Sequence, residues 1–249
     1  MGRMADGSEE TGPADGRYRA LVVDDEEALR TTVAAYLARD GFEVTTAGDG
    51  AEAIAAAREH SPDVVVLDVV MPGLDGIEVC RQLRTFSDAY VIMLTARSEE
   101  LDTLVGLAAG ADDYVTKPFS PRLLMARIRT LLRRPRTAPG FGGAEAGDET
   151  PRRFGPLTVD PTPREVWLDG EQISLTRTEY DLLDVLSERP RMVFSRAQLI
   201  ERVWGMSWVG DEHLVDVHFA HIRRKLGDDP TSPRYILTVR GVGYRMGPG

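Results

Sequence analysis

Three short apolar runs in the first half of the chain constrain its fold more than any other feature. They are Ala20–Val23, Val64–Leu67 and Val91–Leu94; each contains β-branched residues and has no polar interruption. Strands that are buried on both faces of a parallel sheet have this composition. A turn and a segment with helical spacing follow each run, so the sequence predicts repeated strand-helix units.

Five helical patterns and two weaker strand patterns complete this first region. The helices are predicted at Glu26–Arg39, Ala51–His60, Ile77–Thr85, Leu101–Ala109 and Pro121–Arg134, and the strands near Val44–Ala47 and Tyr114–Val115. Together the patterns predict a doubly wound α/β domain of five βα units over residues 17–136. In such a sheet the ligand site lies beyond the carboxyl ends of the strands.

The pattern changes after residue 136. A stretch rich in glycine, proline and small polar residues predicts a flexible linker over residues 137–151. Two capping boxes, beginning at Thr176 and Ser195, then predict helix starts. The remaining patterns predict an α+β domain over residues 152–249, with strands at Leu157–Val159, Val166–Leu168 and Gln172–Ile173, a helix at about 212–226, and a hairpin formed by Tyr235–Arg240 and Gly243–Arg245.

The distribution of charge is informative because the chain has a formal net charge of -10. Residues 152–249 carry equal numbers of acidic and basic side chains, and residues 221–245 hold six Arg or Lys against two Asp. A basic surface near the carboxyl end is therefore compatible with binding to nucleic acid. Residues 1–16 are polar and acidic, which predicts a disordered leader and not a signal peptide. With the single Cys80 and no long apolar run, we expect a cytoplasmic protein that does not contact the membrane.

Polar side chains with complementary chemistry follow the predicted strands. Asp24 and Asp25 follow the first apolar run, and Asp68 follows the second. Thr95 and Lys117 follow later strands, so all five side chains should meet at one edge of the sheet. Clustered carboxylates are hard oxygen ligands that suit Mg²⁺. A metal, an acidic nucleophile, a cation and a hydroxyl together suit transfer of a phosphoryl group to a carboxylate.

The motifs VVDDE, VVLDVVMPGLDG, MLTAR and GADDYVTKPF resemble the receiver domain of two-component response regulators. The resemblance implies Asp68 as the phosphoacceptor, and it implies a cis peptide between Lys117 and Pro118. The remaining implied roles are Mg²⁺ ligation by Asp24, Asp25, Asp68 and the backbone carbonyl of Val70, switching by Thr95 and Tyr114, and contact with the phosphoryl group by Lys117. A sensor histidine kinase is the implied phosphodonor.

The resemblance also implies a homodimer that phosphorylation strengthens through one face of the receiver. The side chains that match this interface are Asp112, Asp113, Arg127 and Arg134. Three other positions depart from the family pattern, because Thr103 replaces a basic residue while Ala108 and Leu123 replace acidic ones. Either dimerisation is weaker in this chain, or apolar contacts through Leu123 replace ion pairs.

The carboxyl-terminal motifs LTRTEYDLLDVL, FSRAQLIERVW, VDVHFAHIRRKLGDD and YILTVRGVGYR resemble the winged-helix domain of OmpR/PhoB-type regulators, which binds DNA. Helical spacing predicts that Leu214, Val217, His218 and His221 form an exposed stripe that contacts bases, opposite a buried stripe of Val215, Phe219, Ile222 and Leu226. Further DNA contacts are predicted for Arg223 and Arg224 on phosphates, for Arg240 in a minor groove, and for Tyr244 beside it.

The same residues allow three other interpretations. A metal site formed by His213, Asp216, His218 and His221 has suitable ligand types but no known zinc spacing. An aspartyl-phosphate phosphatase needs a second acid two residues after its nucleophile, where this chain has Val70. A third possibility is DNA binding without phosphorylation. The sequence favours a phosphorylation-controlled transcription regulator that is not an enzyme, binding direct repeats in promoter DNA, with RNA polymerase as a further candidate partner.

Overall fold

The computed structural model describes residues 17–96, 109–132, 150–206, 208 and 210–249. Its first region contains a five-stranded parallel sheet in the order β2-β1-β3-β4-β5. The predicted apolar runs form its three central strands, which are buried as expected for a sheet covered on both faces. The strands are β1 (Arg19–Val23), β2 (Glu43–Ala47), β3 (Val64–Asp68), β4 (Tyr90–Ala96) and β5 (Asp113–Lys117).

Four helices accompany this sheet in the described residues. They are α1 (Glu27–Arg39), α2 (Gly50–His60), α3 (Gly76–Leu83) and α4 (Pro121–Leu132). The contacts pair α1 with α4 and α2 with α3, which is the arrangement of helices in a doubly wound α/β domain. The predicted α/β fold is therefore confirmed. The leader, the helix predicted at 101–109 except for its last residue, and residues 137–149 of the predicted linker lie outside the described residues.

The described residues of the second region form two small antiparallel sheets and three helices. One sheet has the order β6-β7-β8-β9, and the other has the order β10-β12-β11. The helices are α5 (Arg177–Glu188), α6 (Arg196–Trp204) and α7 (His213–Leu226). The strands are β6 (Arg152–Phe154), β7 (Leu157–Asp160), β8 (Glu165–Leu168), β9 (Glu171–Gln172), β10 (Phe194–Ser195), β11 (Ile236–Val239) and β12 (Gly243–Met246).

Local sequence signals explain much of this second region. Both predicted capping boxes are present, at Thr176 before α5 and at Ser195 before α6. The hairpin of β11 and β12 is antiparallel as predicted. Trp204, Phe194 and Phe219 are among the largest fully buried side chains and form part of the hydrophobic core. The predicted winged-helix architecture is confirmed.

Glycine allows a close approach beside the end of β3. A Cβ atom on Gly76 would lie 2.0 Å from the backbone carbonyl oxygen of Asp68, a distance that no side chain can occupy. Gly76 begins α3, whose N-terminal cap is the side chain of Asp75. The absence of a side chain at Gly76 therefore lets α3 start directly against the strand end that carries Asp68. In the described parts of the chain, no helix has the length and apolar composition needed to cross a bilayer.

Candidate phosphoryl site and nucleic-acid interface

Three carboxylates gather at the carboxyl edge of the parallel sheet. Asp24 and Asp25 follow β1, and Asp68 ends the neighbouring strand β3. One oxygen from each carboxylate lies within 4.8 Å of the others. Asp24 and Asp68 are buried, while Asp25 is exposed. The structure thus brings together the three acids that the sequence placed at this edge.

Lys117 extends from the end of β5 into this acidic cluster. Its Nζ atom lies 2.9 Å from Oδ2 of Asp24 and 3.0 Å from Oδ2 of Asp68. Burial by itself would lower the pKa of Lys117, but the hydrogen bonds and charges of the two aspartates raise it above its usual value. Lys117 is therefore a charged cation at neutral pH. The peptide between Lys117 and Pro118 is cis, as the resemblance implied.

The electrostatics of the cluster favour a further positive charge. Burial is the largest cause that raises the pKa of Asp68; Lys117 opposes the shift, and Asp24 and Asp25 add to it. Three carboxylates face a single ammonium group, so the cluster has an excess of negative charge. A hard divalent cation with oxygen ligands would offset that excess, and the residues present fit Mg²⁺. Val70, two residues after Asp68, is 59% exposed.

Thr95 and Tyr114 differ in their surroundings. Thr95, near the end of β4, is 1% exposed and has no hydrogen-bond partner for its Oγ1 among the described residues. A buried hydroxyl without a partner is unusual and indicates a missing acceptor. Tyr114, on β5, is half-buried; burial raises the pKa of its phenol, and the nearby backbone of Asp211 opposes that shift. Tyr114 therefore contacts the segment between α6 and α7.

Side chains predicted to form a dimer interface contact the second region of the same chain. Asp113 and Arg127 form a buried ion pair at 2.8 Å. The Nε1 atom of Trp208 lies 3.3 Å from Oδ2 of Asp113, and the guanidinium of Arg127 lies 5.1 Å from the Trp208 ring. The backbone carbonyl of Asp112 accepts a hydrogen bond from Trp204. No sequence pattern predicts these tryptophan contacts, because they depend on how the two regions meet.

Asp112 and Leu123, also predicted at the dimer interface, lie in different surroundings. Asp112 also forms an ion pair with Arg84 at 2.6 Å, so its carboxylate serves the interior of the first region. Leu123, on α4, is 37% exposed and is available for an apolar contact. Arg134 lies outside the described residues, as do Thr103 and Ala108. The network predicted for a dimer is thus represented here by Asp113 and Arg127.

The prediction of an exposed reading stripe on α7 is wrong for three of its four residues. Leu214 and His218 are each 1% exposed and His221 is 6% exposed, while Val217 is half-buried. The reason is that α7 packs against both α5 and α6, so both apolar stripes are covered. The imidazole of His218 lies 5.5 Å from the Trp204 ring. Helical spacing identified the stripes but could not indicate how many neighbours cover them.

His221 sits in a buried polar cluster with Glu179. Its Nδ1 atom lies 3.8 Å from Oε1 of Glu179, whose other oxygen pairs with Nζ of Lys225 at 2.6 Å. Burial, which Glu179 only partly offsets, lowers the pKa of His221 to about 4. The neutral imidazole is therefore part of the packed structure. The alternative zinc set of His213, Asp216, His218 and His221, which lacks a known zinc spacing, does not assemble, because among the described residues only the carboxylate cluster gathers potential metal ligands.

Of the residues predicted to contact DNA near the hairpin, some form hydrogen bonds within the fold and others are exposed to solvent. Arg223 donates to the carbonyl of Ile236 at 2.7 Å and to Oγ1 of Thr238 at 2.8 Å, so it fixes α7 to β11. Tyr244 is buried, and its hydroxyl donates to Asp216. Arg224 and Arg240 are exposed. The free positive charge predicted for phosphate contacts is thus found on Arg224 and Arg240 but not on Arg223.

Comparisons with known proteins agree with this geometry. The family model described as "Response regulator receiver domain" matches residues 20–129. The family model described as "Transcriptional regulatory protein, C terminal" matches residues 170–246. The chain is 45% identical to the DNA-binding response regulator MtrA of Mycolicibacterium smegmatis, covering 93% of this chain and 98% of that protein. It is also 45% identical to the transcriptional regulatory protein AfsQ1 of Streptomyces coelicolor, with 92% and 97% covered. A solved structure of a RitR mutant has a TM-score of 0.74 at 27% identity and covers 93% of this chain and 100% of that one.

Proposed function

Because the chain belongs to the DNA-binding response regulators of two-component systems, with a receiver domain and a C-terminal transcriptional regulatory domain, we propose that phosphorylation of Asp68 controls its binding to promoter DNA. The observation that carries this proposal is the buried Asp68 carboxylate, with Lys117 Nζ at 3.0 Å and two further aspartates beside it. We propose residues 17–136 as the receiver and residues 152–249 as the DNA-binding domain, in a cytoplasmic protein.

The chemistry proposed for the receiver is transfer of a phosphoryl group from a histidine kinase. A carboxylate oxygen of Asp68 forms the bond to phosphorus while the bond from phosphorus to the donor's nitrogen breaks. Asp24, Asp25, Asp68 and the Val70 carbonyl would hold Mg²⁺, which supplies positive charge to the phosphoryl oxygens when bound. Lys117, whose Nζ atom lies beside Asp24 and Asp68, would contact the same phosphoryl oxygens.

The phosphoryl signal is proposed to leave the site through Thr95 and Tyr114. The unpartnered hydroxyl of Thr95 is a donor for a phosphoryl oxygen. Movement of Thr95 toward the phosphoryl group opens space into which Tyr114 rotates. That rotation removes the contact of Tyr114 with the Asp211 backbone. The contact between the receiver and the segment before α7 is thereby weakened.

We propose that the released DNA-binding domain uses α7 and the β11-β12 hairpin on DNA. The exposed Arg224 and the half-buried Val217 lie on the side of α7 that can face DNA. Arg240 lies at the tip of the hairpin, where it can enter a minor groove. Release also frees Asp113 and Arg127, which with Asp112, Leu123 and Arg134 would form a homodimer interface. A dimer of this kind suits direct repeats about one helical turn apart. RNA polymerase is a further proposed partner.

Binding selection from random DNA, with and without acetyl phosphate and Mg²⁺, tests the proposal. The wild type is compared with Asp68→Asn, which cannot accept the phosphoryl group, and with Asp49→Asn, a matched control outside the site. Asp49 caps α2 by accepting from the backbone of Glu52, and asparagine caps a helix equally well. We expect acetyl phosphate to strengthen DNA binding by the wild type and Asp49→Asn only. Equal strengthening in Asp68→Asn would contradict control by Asp68.

A further inference from the structure

The exposed side of α7 differs from the predicted one, and it begins with His213. The His213 side chain is 73% exposed. Half-buried Val217 and exposed Ala220 and Arg224 follow it at spacings of three or four residues, so these four positions share one side of the helix. Since other sides of α7 pack against α5 and α6, this side is the one that can approach DNA under the proposed function.

Asp216 and Asp211 bind His213 directly, and further polar groups bind Asp216. Its Nδ1 atom lies 2.9 Å from Oδ2 of Asp216 on the same helix. Asp216 also accepts from Nε of Arg196, at the start of α6, at 2.8 Å, and from the hydroxyl of Tyr244 on β12. The carboxylate of Asp211 accepts from the backbone N–H of His213. Two additional donors therefore fix the carboxylate of Asp216, which in turn orients the His213 ring.

The protonation of His213 depends on these neighbours. The hydrogen bond to Asp216 is the largest cause that raises the pKa of His213 above 6.5, and the charges of Asp211 and Asp216 add to it. Slight burial and the charge of Arg196 oppose the shift. A nearby DNA phosphate would favour the imidazolium further. Binding of this side of α7 to DNA would then take up a proton in the neutral pH range.

We propose that His213 is a proton-dependent phosphate contact, so that the affinity of the protein for DNA falls as the pH rises through neutrality. This inference rests on the proposed function, because it requires that α7 binds DNA. His213 is suited to the role because it is the exposed titratable group at the start of this side of α7, while the buried His218 and His221 are enclosed by α5 and α6. Arg224 is exposed on the same side of α7 and supplies a second phosphate contact, which does not depend on His213.

The test measures DNA affinity of the full chain as a function of salt at several pH values. The probe is a labelled duplex of mixed sequence of roughly 20 base pairs, about two helical turns. The protein is treated with acetyl phosphate and Mg²⁺, and fluorescence anisotropy is recorded from about pH 6 to about pH 8. The samples are the wild type, His213→Arg with a permanent charge, and His213→Gln with none. Asp216 is left unchanged because it also holds Arg196 and Tyr244.

Each phosphate contact contributes about 0.9 to the slope of log affinity against log salt. This slope is negative, and we expect its magnitude in the wild type to decrease by about 0.9 as the pH rises, with a loss of affinity of roughly threefold to tenfold at moderate salt. His213→Arg should keep the larger slope at every pH, and His213→Gln should show the smaller one throughout. A His213→Gln variant with the pH dependence of the wild type would overturn this inference but leave DNA binding intact. Absence of DNA binding in every sample would refute the proposed function as well.

Discussion

Acidification should destabilise the DNA-binding domain because it contains the buried, neutral His221. The pKa of His221 is lowered to about 4 from an ordinary value of 6.5, with burial as the largest cause. The unfolded chain therefore binds a proton below pH 6.5 that the folded domain resists until the pH approaches 4. The contribution of this neutral imidazole to stability is fully present above pH 6.5, and it is lost progressively as the pH falls toward 4.

The size of the loss follows from the two pKa values. Each pKa unit of difference is equivalent to about 1.36 kcal/mol, and a pH of about 5 lies roughly one and a half units below the pKa of His221 in the unfolded chain. The free energy of unfolding should therefore decrease by roughly 2 kcal/mol between about pH 7 and about pH 5. This is an upper figure, because His221 borders a cleft lined by Arg84 and Arg224, and water in that cleft screens its charge.

Urea unfolding at several pH values, followed by tryptophan fluorescence, measures this loss. The comparison is between the wild type and His221→Gln, which keeps a polar side chain but cannot titrate. We expect the stability difference between the two proteins to shrink as the pH falls, because only the wild type incurs the cost of protonation. The comparison removes the effect of His213, whose titration is common to both proteins. A constant difference across the pH range would refute the reasoning.

The close approach at Gly76, the hydrogen bond of Tyr244 and the metal site can each be tested separately. Gly76→Ala should lower the free energy of unfolding by about 1 to 3 kcal/mol, measured by thermal melting, because its Cβ would collide with the carbonyl of Asp68; an unchanged melting temperature would contradict this. Tyr244→Phe should cost about 1 kcal/mol in the same assay through the lost hydrogen bond to Asp216, and equal stability would argue against that bond. Chelation of Mg²⁺ should abolish the mass increase of the protein with acetyl phosphate, and a persisting increase would remove the metal from the proposal.

The receiver fold was readily predicted because its signals are local and redundant. Buried parallel strands need apolar runs, and the runs of β1, β3 and β4 ended within one or two residues of the observed strands. The convergence of Asp24, Asp25 and Asp68 followed from the topology alone, since parallel neighbours end at one edge. The capping box at Thr176 was equally local, because it depends on two residues three positions apart.

The parts that the sequence did not predict depend on tertiary contacts. Strands β6 and β10 were missed because three and two residues are too few to show a period of two. The burial of Leu214 and His218 could not be read from helical spacing, because α7 is covered on more than one side. The contact of Trp208 with Arg127 joins residues that are distant in the sequence. No local pattern encodes such a pair.

Together with the proposed homodimer, the contact of Trp208 with Asp113 and Arg127 would make this regulator sensitive to its own abundance. The same face of the receiver binds either the DNA-binding domain of its own chain or, as proposed, a second receiver. The first partner is covalently attached, so its effective concentration is fixed whatever the number of molecules in the cell. The second partner becomes more available as the protein accumulates. The expression level of the protein would therefore set how much phosphorylation is needed before the dimer prevails.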